Sequence, residues 1–287
     1  MEVLTFDDPQ RWLDAVEPFL LEHEARHDLA LGIADTLIRH PDVYPTKHLW
    51  SVERAGRVVG AALQTTPHNL ALARPAEAAV LGILADAIHG DAIQLPGVVG
   101  ADPECGRFAE AWSRVTGALV RHVMGQGVYA LRAVRSVPAA PGASRKADRP
   151  EDLELILTWL GAFDAEVVPP EISADADQRR RRAATVFASD VGGFWLWEDD
   201  GRPVAMTGVG SFTRNGARIG PVYTPPEARG RGYATSLVAD VSRRQLAGGR
   251  SFCFLHTDLA NPTSNAIYRR IGYEHVCDSV VLAFDAT

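Results

Sequence analysis

Pro225-Pro226-Glu227-Ala228-Arg229-Gly230-Arg231-Gly232-Tyr233-Ala234 is the stretch on which the reading of this chain turns. It follows a run from Ala217 to Thr224 that reads as a strand. It precedes Tyr233 to Leu246, where Ala234, Leu237, Val238 and Val241 recur at helical spacing. Gly230 and Gly232 let the backbone take dihedrals closed to other residues, so successive N–H groups can converge on one point at a helix N-terminus. Arg229 and Arg231 put positive charge beside that point. The pattern suits a cradle for a pyrophosphate; its plain alternative is a tight strand-to-helix turn. Two nucleotide signatures are excluded. No Gly-Lys-Ser/Thr follows the glycines, and Thr235 stands where a dinucleotide fingerprint needs a third small residue. The acidic residue such a fingerprint carries ~20 positions later is also missing.

Downstream, Ser251 to Leu255 is a nearly all-apolar run, as in a central strand buried on both faces. Residues 256–273 read HTDLANPTSNAIYRRIGY. Asn261-Pro262 combines a capping side chain with proline at the first helical position. Tyr268 lies two helical turns further on, which predicts an amide and a phenol on one helix face. Gly272 ends the helix and Tyr273 opens the last strands, with Ser279 to Phe284 closing the sheet.

These two stretches, in this order and separated by a helix and a buried strand, resemble the GNAT N-acetyltransferase superfamily. R-G-R-G-Y-A at 229–234 is similar to its R/Q-x-x-G-x-G/A loop, and the run from Asn261 to Tyr273 to its C-terminal motif. The resemblance implies acetyl-CoA as co-substrate. It implies that the backbone of Val222, Tyr223 and Thr224 contacts the acyl and pantetheine portion. The loop Arg229, Gly230, Arg231, Gly232, Tyr233, Ala234 and Thr235 would bind the pyrophosphate. Asn261 would bond the pantetheine arm or cap the helix that shapes its channel, and Tyr268 would protonate the departing thiolate. A phenol suits that role because its pKa lies closer to a thiol's than a carboxylic acid's does. No carboxylate occurs between Ile219 and Thr224, so the general base stays open among Glu198, Glu227, His256, Asp258 and water.

Working outward, the chain is a duplication. Its 287 residues suit two domains of about 140. LWSVERAGRVVG at 49–60 matches FWLWEDDGRPVA at 194–205 at a constant offset of 145, and both read as hairpins around a glycine turn. DDPQRWLDAVEPFL at 7–20 matches DRPEDLELILTWLG at 148–161, each a helix opened by proline. The expected layout is a degenerate GNAT-like domain at 1–137, a Pro/Gly linker at 138–142 and a GNAT domain at 143–287. Each domain is expected to be α/β (α+β), a mixed and mostly antiparallel twisted sheet flanked by helices. The first copy is degenerate because Leu72 to Val80 lacks glycine and carries Glu77, and the helix around Phe108 to Val115 lacks the Asn-to-Tyr spacing.

Composition narrows the partners. Hydrophobic residues at 46% and charged residues at 23% are those of a globular protein with a sizeable core. A net charge of −7 argues against a nucleic-acid partner. All but Lys47 and Lys146 of the 29 basic side chains are arginine, a genome-level bias and not a binding signal. Cys105, Cys253 and Cys277 form no CxxC pair, and no histidine spacing suits a metal. The acidic start is not a signal peptide and no apolar run is membrane-length, so a cytoplasmic protein is expected. Arg179 to Arg182 reads as a solvated helix face, and Trp195 and Trp197 as core. The function expected is acetyl transfer to the amine of a small molecule or peptide. The rivals are an idle acyl-CoA-binding or sensor module, and a tandem enzyme with a longer acyl donor or a mycothiol-precursor-like acceptor.

Overall fold

Glycine-bearing turns build the same hairpin twice. The computed structural model describes residues 1–44, 46–169 and 175–285. In it, β2 (Lys47–Arg54) turns into β3 (Arg57–Thr65), and β8 (Gly193–Asp199) into β9 (Arg202–Gly210). The turn residues Ala55-Gly56 have φ of 51° and 74°, and Asp200-Gly201 have 48° and 71°. Left-handed values at both central positions match the twist of the flanking strands. Even the irregularity recurs, with the register slipping at Val52/Glu53 in one hairpin and at Trp197/Glu198 in the other. The internal repeat thus extends from sequence to the position of a bulge.

Around these hairpins the chain runs β1 (Glu2–Phe6), α1 (Pro9–Leu21), α2 (Asp28–Arg39), β2, β3, β4 (Leu70–Leu72), α3 (Ala79–Gly90), β5 (Gly97–Ala101), α4 (Glu104–Thr116) and β6 (Leu119–Leu131). It then runs β7 (Ala143–Lys146), α5 (Pro150–Val167), α6 (Ala176–Phe187), β8, β9, β10 (Gly216–Tyr223), α7 (Tyr233–Ala247), β11 (Phe252–Asp258), α8 (Pro262–Ile271) and β12 (Glu274–Asp285). Two compact units result, Met1–Val128 with Val276–Thr287, and Tyr129–His275.

The first unit orders its strands β1-β2-β3-β4-β5-β12, antiparallel except for the β4–β5 pair. Alternation along β2 sends Leu49 to a cluster with Trp12, Leu20 and Leu31 of α1 and α2. It sends Trp50 and Val52 to one with Leu84, Phe108 and Trp112 of α3 and α4. The second unit orders its strands β11-β10-β9-β8-β7, with only β10–β11 parallel. Leu196 and Met206 pack on Ile156, Trp159 and Ala183 of α5 and α6. Trp197, Ala205 and Ile219 pack on Leu237, Val238 and Val241 of α7 and Ile271 of α8, with Tyr129 and Leu131 from the end of β6.

This division differs from contiguous halves at 1–137 and 143–287. The last strand counts with the first unit because β12 pairs antiparallel with β5, from Ser279↔Ala101 to Ala283↔Gly97. Residues 138–142 are not a free linker either. Ala140 N–H donates to Ser236 Oγ at 2.8 Å, and the Trp197 indole N–H donates to the Pro141 carbonyl at 2.7 Å.

One ion cluster anchors α5. Arg145 grips the buried Asp152 through two bonds of 2.6 and 2.7 Å and reaches Glu198 at 2.6 Å. Asp152 also accepts the N–H groups of Asp148 and Arg149. The Arg145 bonds, with those N–H donors, hold the Asp152 carboxyl below the usual carboxylate range. Arg179 to Arg182 lie inside α6; Arg180 to Arg182 are exposed, while Arg179 pairs with Asp164 at 2.7 Å.

Candidate functional site

Strands β10 and β11 start as a parallel pair and then separate. They pair at Gly216↔Phe252, Ala217↔Cys253 and Arg218↔Phe254, although the strands continue to Tyr223 and Asp258. The cause is local. The register of β10 on β9 slips between Ile219 and Val222, Gly220 takes φ 137°, and Pro221 has no N–H to offer a neighbouring strand. The result is an opening with Val222, Tyr223 and Thr224 at the end of one strand and His256 and Asp258 at the end of the other. Thr224 Oγ1, just past the end of β10, and Asn265 Oδ1, on the helix residue whose Nδ2 bonds the end of β11, are both buried and have no hydrogen-bond partner among the described residues. An unpaired buried polar atom costs about 1–3 kcal/mol, so a bound group or water that pairs with either would be stabilised there.

The glycine loop lies at the end of β10. Pro226–Ala228 form a single tight turn, and Gly230 and Gly232 take φ of 79° and 82°. Gly232 caps α7, whose first backbone bond runs from Ser236 N–H to the Gly232 carbonyl. The N–H groups of Tyr233, Ala234 and Thr235 are therefore the helix's unshared first-turn donors, at its positive end. Gly230, Arg231, Gly232 and Thr235 line a cleft of about 280 Å3, together with Pro138 to Pro141 and Arg270. Most of Tyr233 is buried, and its hydroxyl donates to Asp199 and lies beside Arg231.

Arg229 and Arg231 have different surroundings. The Arg229 guanidinium donates to the Thr224 carbonyl at 2.9 Å and to both Glu166 carboxylate oxygens at 2.7 and 2.9 Å, and sits over the Tyr223 ring. It braces the loop onto α5 and does not line the cleft. Arg231 lines the cleft.

On α8, Asn261 is outside the helix, with φ −99° and ψ 90°, and its side chain accepts the Ser264 N–H at 3.1 Å. Of the two roles implied for it, this geometry supplies the cap. The amide sharing a face with Tyr268 is Asn265, one turn before it, and the two are buried with Ile271. Asn265 Nδ2 donates to the carbonyls of Asp258 and Leu259, tying α8 to the end of β11. The i, i+3 spacing of Asn265 and Tyr268 was the signal for it, masked by the stronger Asn-Pro start. The Tyr268 ring meets Tyr273 edge-on at 5.9 Å, and burial pushes its hydroxyl up to about 12. It stays protonated at neutral pH.

Among the carboxylates considered as base, Glu198 is held by Arg145 at 2.6 Å and has Arg149 at 3.8 Å. That pairing fixes it as part of the α5 anchor. Glu227 is exposed in the turn before the loop, and Asp258 Oδ1 accepts the Ala260 N–H at 2.8 Å. His256 and Asp258 both stand beyond the last β10–β11 pair and share one side of β11. Among the described residues, no group of three or more His, Cys, Asp or Glu side chains could hold a metal ion. No helix there is long and apolar enough to cross a membrane.

The Acetyltransferase (GNAT) family model matches residues 157–273, a span that holds the strand opening, the glycine loop and α8. A GCN5-related N-acetyltransferase from Kribbella flavida is 17% identical over 91% of this chain and 96% of its own, with a TM-score of 0.59. One from Sphaerobacter thermophilus is 15% identical over 98% of this chain and 95% of its own, with a TM-score of 0.62. A tandem GNAT protein from the clavulanic acid biosynthesis pathway is 16% identical over 98% and 97%, with a TM-score of 0.58. These likenesses run through both halves and concern the fold. No curated protein matches the chain by sequence.

Proposed function

With residues 157–273 forming a domain of the GNAT acetyltransferase family, we propose that the chain moves an acetyl group from acetyl-CoA to the amine of a small molecule or peptide. The observation that carries this reading is the parting of β10 from β11 after Arg218, followed in the chain by a glycine loop that leads into the first-turn donors of α7. The residues present fit the co-substrate. Backbone groups of Val222, Tyr223 and Thr224, freed from any β11 ladder, would take the acyl and pantetheine portion. The N–H groups of Gly230 to Thr235, with Arg231, would take the pyrophosphate, anions being favoured at a helix N-terminus. Arg229 would act from behind, holding the loop through Thr224 and Glu166. Asn261 and Asn265 would fix the helix that walls the pantetheine arm.

The thioester supplies an activated acetyl group, so that the attacking amine forms a C–N bond as the C–S bond breaks. The Tyr268 hydroxyl is the donor for the sulfur. At about 12 its pKa stands above the ~8.5 of a thiol. Complete proton transfer to the thiolate would then be uphill by roughly 5 kcal/mol at about 1.4 kcal/mol per unit. Its contribution is accordingly a hydrogen bond to the developing negative charge, the proton reaching the thiolate finally from solvent. The amine loses its proton to His256, Asp258, Glu227 or a water between them.

Thiol release from acetyl-CoA across an amine library tests the reading, with Tyr268→Phe beside the wild type. Turnover with at least one amine is expected, lowered about 10- to 100-fold by Tyr268→Phe at little change in KM, one donor to developing charge being worth roughly 10²–10³ at most. Binding of acetyl-CoA without turnover on any acceptor would leave the chain a binding module. Turnover indifferent to Tyr268→Phe would remove the donor role.

A further inference from the structure

The cleft beside the glycine loop has two unlike walls. One carries the open backbone of Gly230 to Gly232 with Arg231; the other is the segment Pro138 to Pro141. That segment offers little to an anion. Pro138 and Pro141 have no N–H, the Ala140 N–H is taken by Ser236 and the Pro141 carbonyl by Trp197, which leaves the Ala139 N–H as the segment's one backbone donor without a partner among the described residues. Into the same cleft comes Arg270, from the last turn of α8.

Arg270 differs from the arginines near it. Arg229 is held by Glu166, Arg244 by Asp240, and Arg269 donates to Tyr129 at 3.2 Å. Arg270 is exposed and has no carboxylate within 4.0 Å among the described residues. A guanidinium with all five donors available, opposite a neutral wall and next to unshared helix N–H groups, is arranged for phosphate oxygens.

Building on the proposed function, we infer that Arg270 is a phosphate-binding residue of the acyl-CoA site and that Pro138 to Pro141 form the closed side of its phosphate cleft. Arg231 and Arg270 grip the phosphates from two sides, one from the loop before α7 and the other from the last turn of α8. The pinned segment limits the space and offers few competing polar groups. This gives residues 138–141 a function in ligand selection and not only in chain connection.

The test is titration of the full chain with CoA and, separately, with pantetheine, which lacks phosphate. It uses wild type, Arg270→Gln, Arg270→Lys, and Arg243→Gln as an exposed-arginine control outside the cleft. Arg270→Gln is expected to weaken CoA binding about tenfold, as for one charge-assisted bond, and to leave pantetheine binding unchanged. Arg270→Lys should recover part of the loss, and the fall in CoA affinity with salt should be shallower in Arg270→Gln than in wild type. Wild type that binds CoA while Arg270→Gln binds it equally well overturns this inference alone. Equal losses for CoA and pantetheine overturn it too, since they would mark a folding effect. Wild type that takes no CoA overturns the proposed function together with it.

Discussion

His27 sits in the core of the first unit with both ring nitrogens engaged. Nδ1 lies 2.9 Å from the Leu20 carbonyl, and Nε2 accepts the Arg74 backbone N–H at 3.0 Å. Only the neutral ring carrying its proton on Nδ1 satisfies both partners, because a second proton would face the Arg74 donor. Burial above all, with the neighbouring His23 and Arg26 acting in the same direction, holds its pKa down at about 4, against the opposing pull of the Leu20 carbonyl. A folded-state pKa below the unfolded 6.5 means that the unfolded chain binds the proton more readily in that window. Stability from His27 is therefore complete above pH 6.5 and lost as pH falls towards 4. Chemical denaturation should show a loss of about 2.5 kcal/mol between pH 7.5 and 4.5, and His27→Gln should flatten that slope. Asp152 adds a loss of the same sign at lower pH, its carboxyl being held down by Arg145. An unchanged slope in His27→Gln would take the dependence away from this ring.

At the scale of elements, the glycine loop was legible because its chemistry is local. Two glycines, a strand before and a helix after were all in one stretch, and Gly232 does sit left-handed at the head of α7. The hairpins were legible for the same reason, through their Ala55-Gly56 and Asp200-Gly201 turns. What the sequence could not show is where a side chain turns once the elements pack. Arg229 reads as a pyrophosphate ligand, but Glu166 lies far away in sequence and captures it. Asn261 and Asn265 compete for one role, and only the cap geometry separates them. The loop invites a controlled comparison. Alanine at Gly232 would meet Ala140 at 3.8 Å, an ordinary contact, so its effect is conformational and not a clash. Gly201, at φ 71° with open space around it, is the matched control in the β8–β9 turn. Each Gly→Ala change should cost about 1–2 kcal/mol for the left-handed backbone, visible as a similar drop in melting temperature. Only Gly232→Ala should also weaken CoA binding, by tenfold or more, because it reorients the N–H groups of Tyr233 to Thr235. Equal CoA affinities in the two variants would separate the loop from the ligand.

At the scale of the whole molecule, there are two units with matching hairpins but one opened pair of strands among the described residues. In the first unit the parallel pair equivalent to β10–β11 is β4–β5, and it stays in register through every residue of β4, from Leu70↔Val98 to Leu72↔Gly100. The segment after β4 has no glycine, and its Glu77 is held by Arg54 at 2.9 Å. Where the second unit offers N–H groups behind two glycines, the first begins α3 behind Ala78 in ordinary helical geometry, with the Val80 and Leu81 N–H groups bonded to the Glu77 and Ala78 carbonyls. The region around the end of β4 is instead filled by its own contacts. His27 takes the Arg74 N–H, while Arg26 and Arg74 both face Glu104, at 2.6 and 3.8 Å. Glu104 thus takes up the positive charge that Arg26 and Arg74 bring there. The sequence announced this asymmetry through its missing glycines, but not that β12 would count with the first unit, since pairing between segments remote in the chain leaves no local period. One acyl-CoA per chain is therefore expected. Calorimetric titration with CoA should give a single transition at one equivalent, and Gly232→Ala should weaken that transition without exposing another. A second equivalent bound, or binding that survives unchanged in Gly232→Ala, would mean that the first unit has kept a site of its own. Strand pairing through Leu72 and the Arg54–Glu77 pair would then have to open to admit the ligand.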